Sequence, residues 1–271
     1  GYELQLFLTK QNNFRIYIET ISQAKKLEQQ SQKVDFGIRL NSSYLLTVKD
    51  SVHHFDVYSR FGISDLTELA KFVLSASEHF VGFHIHHGIH ENSPDTILTF
   101  ARQAIALADQ FQLPLPSIDL GGGLAKIGFS QLESLLVELR CLVRSPTVLI
   151  FEAGKLLFED IGFAYGKVKS LQCDRRGWTV TLDLSKSCHL RWSQPQLLVP
   201  DSTSTTQVPV SIYGGTCNEG DRLGEFLVPL SKLNGCPYQE GDIVVFKNIN
   251  CYSVSWNTSF NGLKPAEVKF F

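Results

Sequence analysis

The sequence predicts an α/β region followed by an all-β region. Residues 1 to about 155 alternate short apolar runs with helix-like stretches, whereas the remainder joins β-rich runs through polar turns without long helices. Three polar motifs also stand where predicted strands end: Gly82-Phe83-His84-Ile85-His86, Ile118-Asp119-Leu120-Gly121-Gly122-Gly123 and Leu149-Ile150-Phe151-Glu152-Ala153-Gly154-Lys155. Such alternation implies parallel strands with right-handed crossovers, whose C-terminal ends converge on one reactive rim.

Taken in order, Phe14–Ile18 is a short β-rich run and Ile21–Gln30 reads as helix. Asp35–Leu40 is the second strand, and Ser64 reads as the cap of a helix through Leu69, Phe72 and Val73. Phe80–Ile85 is the third strand. Ser93-Pro94-Asp95 then opens an amphipathic helix, with Ile97, Ala101, Ala104, Ile105 and Ala108 at helical spacing and Pro94 at its first position. Ser117–Leu120, a helix over Gln131–Arg144 and Thr147–Phe151 complete five strand positions. Beyond Lys155, Phe163–Leu171, Trp178–Leu182, Val208–Ile212 and Asp242–Phe246 read as an antiparallel β domain. The expected division is 1–157 and 158–271. Asp201–Gln207 is a polar, solvated connection.

A net charge of −2 with scattered Lys and Arg argues against a nucleic-acid or membrane-surface role. No apolar stretch approaches the ~20 residues that span a bilayer. The six cysteines have no CxxC spacing, so neither a zinc ribbon nor a disulfide framework is suggested, and a reducing cytoplasm is the economical assumption.

Three glycines after a buried strand let backbone N–H groups approach an anion, although such turns also close ordinary βα loops. Glu152 ends an almost unbroken apolar run, so its carboxylate is either exposed on the rim or buried with a partner. A pyridinium N–H would be such a partner, and His86 could stack on the opposite ring face. The cluster His84, His86, His87 and His90 also admits a metal reading, but only Glu91 supplies a neighbouring carboxylate, so a zinc hydrolase is a minor alternative and no metal is expected.

Further motifs lie downstream. Taken together, Ser59-Arg60-Phe61-Gly62-Ile63, the three strand-end motifs, Gly215-Thr216-Cys217 with Asp221, and Cys251-Tyr252 followed by Phe260-Asn261-Gly262 resemble the fold-type III pyridoxal-phosphate decarboxylases, the ornithine, arginine and diaminopimelate decarboxylase superfamily. They occur in the family's order along nearly the whole chain. The resemblance implies a partial TIM-type βα barrel, its last five βα units, followed by an antiparallel β-sandwich or barrel. It implies pyridoxal 5'-phosphate as cofactor. His86 would stack on the ring, Glu152 would pair with its nitrogen, and Gly121, Gly122 and Gly123 with Tyr252 would bind its phosphate. Arg60 would support the charge network, and Cys217 would return a proton to the substrate carbon after carbon dioxide leaves. Lys155, Asn218, Glu219 and Asp221 would contact the substrate. A head-to-tail homodimer with shared sites is implied as well.

Departures narrow the substrate. Ala153 replaces a usual proline, and Lys155 replaces a common arginine, keeping charge but losing the bidentate fork. Asn218 stands where ornithine and diaminopimelate enzymes carry an acidic residue. The stretches His86–Ser93, Leu182–His189 and Asn257–Gly262 look closer to the carboxynorspermidine branch, which points to a carboxylated polyamine or a siderophore-type conjugate. Ornithine, lysine and diaminopimelate remain alternative substrates. A catalytically inactive paralogue that binds a protein partner is the reading from another class, and an amino-acid racemase is disfavoured by the Gly-Thr-Cys motif. The family's Schiff-base lysine belongs to an earlier strand; Lys10, Lys25, Lys26, Lys33 and Lys49 lack its motif, and the chain begins at Gly1. The portion that carries this lysine is therefore expected either upstream in a longer chain or on another chain.

Overall fold

The computed structural model describes residues 15–29, 34–45, 60–64, 67–87, 93–199, 206–230 and 235–270. Phe14, Lys10, Lys33, Lys49, Ser59, His90, Glu91 and most of the 201–207 loop lie outside these. The chain divides into two units, Gly1–Leu156 and Leu157–Phe271, one residue before the expected boundary.

The first unit is a five-stranded parallel sheet in the order β1 (Ile16–Ile18), β2 (Phe36–Arg39), β3 (Phe80–His84), β4 (Ser117–Asp119) and β5 (Val148–Ile150). The strands are short because their apolar runs are short. Phe36, Ile38, Phe83 and Ile118 are at most 2% exposed and fill the contact with the helices. Those helices are α1 (Ile21–Glu28), α2 (Ser42–Leu45), α3 (Thr67–Ser75), α4 (Pro94–Phe111) and α5 (Phe129–Leu142). Helix α1 is entered through a capping box, in which Thr20 Oγ1 accepts from the Gln23 N–H while Gln23 Oε1 accepts from the Thr20 N–H. Helix α4 starts as expected, with Ser93 Oγ accepting from the Thr96 N–H and Pro94 in the first turn. Its Ile97, Ala101, Ala104 and Ala108 face the sheet. Helix α3 is described from Thr67, and the step from Ser64 into it lies outside the described residues. Ile63 bridges Leu40 in parallel, which lays residues 60–63 along the C-terminal end of β2.

The second unit is a six-stranded sheet in the order β10 (Arg222–Pro229), β9 (Gln207–Tyr213), β7 (Gly177–Leu182), β6 (Gly162–Asp174), β11 (Ile243–Ile249) and β8 (Gln196–Leu197). It is not purely antiparallel as expected: β7 and β9 run parallel, from Trp178↔Val210 to Thr181↔Tyr213. The 24-residue excursion between them, with β8 on the far edge, supplies the long crossover that a parallel pair requires. Val180, Leu182, Val210, Ile212 and Phe246 are wholly buried in its core. Helix α6 (Gly154–Phe158) straddles the division, and α7 (Tyr252–Ser255) follows β11.

Candidate active site

The rim of the first unit is built by ladder hydrogen bonds that continue past the strands. Leu40 N–H donates to His84 O, Ile85 N–H to Asp119 O, Leu120 N–H to Ile150 O and Glu152 N–H to Gly121 O, at 2.8–2.9 Å. Three expected residues are thereby drawn together, His86 after β3, the glycine turn after β4 and Glu152 after β5. Glu152 Oε2 lies 3.1 Å from His86 Nδ1, and Oε1 lies 3.3 Å from His84 Nε2. An ionised carboxylate facing Nδ1 places the imidazole proton there. In the other tautomer the same nitrogen would accept the Gly122 N–H, 3.4 Å away.

Glu152 is half exposed, yet the His84 and His86 imidazoles beside it outweigh partial burial and hold its carboxyl far below the usual range. It is an anion at any working pH, which is what an acceptor for a protonated ring nitrogen must be. His84 is buried, and neither of its nitrogens has an aligned hydrogen-bond partner among the described residues. Its ring lies against Tyr17, with centroids 4.7 Å apart. The Tyr17 hydroxyl donates to Asp119 Oδ2 at 3.2 Å, and Asp119 Oδ1 accepts the Gly121 N–H at 3.0 Å. Burial, then the neighbouring Asp119, push the Tyr17 phenol up to about 12, so it stays a donor.

Tyr17 and Asp119 were not anticipated as site residues, and His84 was anticipated only as a member of the histidine cluster. Tyr17 crosses β2 over Gly37, where a Cβ would come within 2.5 Å of its ring. The glycine turn also differs in part from expectation. Gly121 spends its N–H on Asp119 and has φ +64°, and a Cβ there would stand 2.8 Å from His86 Nδ1. Its place is to leave room for the imidazole, and its N–H is committed to Asp119.

Arg60 stands at the C-terminal end of β2, exposed, its guanidinium 4.6 Å above the Phe61 ring. Its described contact is with Phe61, not with the Glu152 group. Lys155 is partly buried in the first turn of α6. His87 turns inward, with Nδ1 2.9 Å from Ser42 Oγ and its ring edge-on to Phe100, and so leaves the four-histidine cluster. The donor atoms of His84, His86 and Glu152 lie within 4.8 Å of one another, a set that could also hold a metal ion.

The remaining expected residues belong to the second unit. Cys217 is exposed on the loop between β9 and β10. Asp221, expected to meet substrate, is instead wholly buried. Its carboxylate accepts from Ser185 Oγ, the Ser187 N–H and both the N–H and hydroxyl of Thr216. Gly214 makes way for it, since a Cβ there would overlap the carboxylate. Asp221 therefore braces the Cys217 loop. The Asn218 side-chain oxygen accepts the Gly220 N–H at 2.9 Å, so that oxygen is committed to the turn. Glu219 is exposed, and Tyr252, 46% exposed, opens α7.

No protein-family model matches the chain. Ornithine decarboxylase 2 of Drosophila melanogaster is 29% identical over 77 residues, which is 28% of this chain and 18% of that protein. The arginine decarboxylase of Paramecium bursaria Chlorella virus superposes with a TM-score of 0.75 at 17% identity, covering 92% of this chain and 69% of its own. The lysine/ornithine decarboxylase of Vibrio vulnificus gives 0.72 at 18% identity, over 93% and 68%. The carboxynorspermidine decarboxylase of Campylobacter jejuni gives 0.63 at 21% identity, over 92% and 67%. The chain thus has the fold shared by these decarboxylases, the parallel βα sheet followed by a β unit that the motif resemblance implied.

Proposed function

We propose that this chain carries the cofactor rim and proton-donor loop of a pyridoxal-phosphate-dependent decarboxylase. One observation supports the reading above the rest: Glu152 is an ionised, half-exposed carboxylate between two imidazoles, beside a glycine turn at parallel strand ends. The residues suit the group at its ring end. An anionic acceptor is in place for a pyridinium N–H, His86 stands alongside to cover a ring face, and the buried His84 lacks an aligned partner that a closer carboxylate would supply.

Bound pyridoxal phosphate supplies an electron sink conjugated to the substrate's α-carbon. Glu152 keeps the ring-nitrogen proton in place, and His86 excludes water from one face. Gly122 and Gly123, with Tyr252, take the phosphate. Cys217, exposed on a braced loop, gives its thiol proton to the carbon that has lost carbon dioxide. Lys155, Asn218 and Glu219 read the substrate's distal end, and Arg60 contributes positive charge to the rim. The substrate class is an amino acid or amino-acid conjugate, first a carboxylated polyamine such as carboxynorspermidine, next a siderophore-type intermediate, then ornithine, lysine or diaminopimelate. A head-to-tail homodimer working in the cytoplasm completes the reading, and six free cysteines are consistent with a reducing compartment. No helix among the described residues is long and apolar enough to cross a membrane.

Two measurements test this. Pyridoxal phosphate titrated into the chain should bind, and Glu152→Gln should weaken binding about tenfold or more through loss of a charge-assisted bond. Carbon dioxide release from a panel of carboxylated amines, by the protein that includes the Schiff-base lysine, should be lost in Cys217→Ala. Absence of binding in the parent would overturn the cofactor assignment. Binding without turnover on any member of the panel would favour the inactive paralogue.

A further inference from the structure

We propose that His84 is the positioning residue of this rim: it keeps oxygen Oε1 of Glu152, so that Oε2 is the oxygen released by His86 to the cofactor's ring nitrogen. The proposal rests on the cofactor reading above and says which of two imidazoles yields. Both face the same carboxylate, at 3.3 and 3.1 Å, but they are held very differently.

His84 is fixed by its strand and by the ring that covers it. Its side chain is 9% exposed and sits within β3. Tyr17 from β1 covers its ring, and Tyr17 is tied in turn to Asp119 of β4. Asp119 also grips the glycine turn. His86, in contrast, lies beyond the strand end, 23% exposed, where the missing side chains of Gly121 and Gly122 leave space around its ring. A Cβ on Gly122 would stand 3.5 Å from His86 Cε1.

The hydrogen-bond geometry points the same way. His84 Nε2 is at ion-pair distance from Oε1 but out of alignment, and both its nitrogens are buried. A buried imidazole without an aligned partner is unfavourable. Its misalignment follows from a carboxylate shared between two rings. Once Oε2 leaves His86, Glu152 can settle onto His84, and the contact straightens. His86 is then free to turn its face to a planar ring. For His84 to hold Oε1 it must be the tautomer that carries its proton on Nε2.

Long-range proton–nitrogen correlation spectra of the labelled chain read this tautomer directly. His84 should carry its proton on Nε2 before and after pyridoxal phosphate is added, while the His86 pattern changes on addition. His84→Phe keeps the contact with Tyr17 but lacks the donor, and should raise the pyridoxal phosphate dissociation constant about tenfold. His84→Gln, whose amide nitrogen reaches the place of Nε2, should restore it to within about threefold. A His84 proton on Nδ1, or a His84→Phe chain that binds like the parent, would overturn the proposal. Should the parent bind no pyridoxal phosphate, the cofactor reading fails separately. His84 is then judged on the unliganded spectra: its Nε2 proton must be present, and the His86 Nδ1 proton signal must shift in His84→Phe but not in His84→Gln.

Discussion

Asp221→Asn tests how the Cys217 loop is held. Asp221 is 0% exposed, and its two oxygens meet four donors. Ser185 Oγ is 2.9 Å from each oxygen, the Ser187 N–H is 3.0 Å from Oδ1, and the Thr216 N–H and Oγ1 are 3.2 and 2.6 Å from Oδ2. An asparagine must place its NH2 at one of these oxygens. At Oδ1 it strands the Ser187 N–H; at Oδ2 it strands the Thr216 N–H. The hydroxyls can turn away, but the backbone donors cannot. One stranded buried donor costs about 1–3 kcal/mol, and losing the charge from the surviving bonds adds about 1 kcal/mol, so a loss of about 2–4 kcal/mol is expected. Burial pushes the Asp221 carboxyl up, but hydrogen bonds from Thr216, Ser187 and Ser185 outweigh it and leave it below its ordinary 3.8. A depressed carboxyl stabilises fully above the unfolded value, and its contribution fades as pH falls through the folded one. The gap between parent and variant should therefore hold from neutral pH down to about 5 and narrow only below about 4. Urea unfolding followed by tryptophan fluorescence is suited to this, because Trp178, Trp192 and Trp256 all lie in the second unit. A neutral-pH difference under about 0.5 kcal/mol, or one that closes before pH 5, would refute the reasoning.

Gly121→Ala, at φ +64° and against His86, should cost about 1–2 kcal/mol by circular dichroism and abolish pyridoxal phosphate binding. Unchanged binding would show that His86 does not depend on that gap. Gly82→Ala, at φ +125° with a Cβ driven into the Ser117 carbonyl of β4, should cost more than about 3 kcal/mol in the same assay, because neither backbone can give way. Tyr238 is buried with no hydroxyl partner among the described residues. Burial, then Asp242, push its phenol up to about 12 from 10.0. The unfolded phenol ionises first, so stability contributed by Tyr238 is lost as pH rises past 10. Tyr238→Phe should be neutral or stabilising at neutral pH and should flatten that alkaline decline; an equally steep decline would reject the assignment.

Strand ends and the residues that follow them were legible because apolar runs and glycines are local signals. His86, Gly121 and Glu152 were found this way, each from its own strand. What joins them was not legible, since contact across a parallel sheet depends on register, and no spacing along one strand encodes the register of the next. Tyr17 and Asp119 are 102 residues apart and meet only because Tyr17 pairs with Gly37 while His84 pairs with Asp119. A trace was present nonetheless: His84 and His86 alternate with period 2, which puts both on one face, and Gly37 interrupts an otherwise apolar strand. The parallel β7–β9 pair was hidden for a similar reason, because strand-like runs joined by polar turns read the same whether the chain returns beside its neighbour or crosses over. Asp221 shows the complementary limit. A carboxylate in a loop announces charge and says nothing of burial. Its environment is set by Ser185 and Ser187, more than thirty residues earlier, whose donors turn an expected substrate contact into a brace. The separation is physically sensible: a loop tip that reaches into solvent needs a rigid base more than another charge. A wholly buried Asp221 with both oxygens engaged supplies that rigidity, and the tip, Cys217 to Glu219, is left exposed.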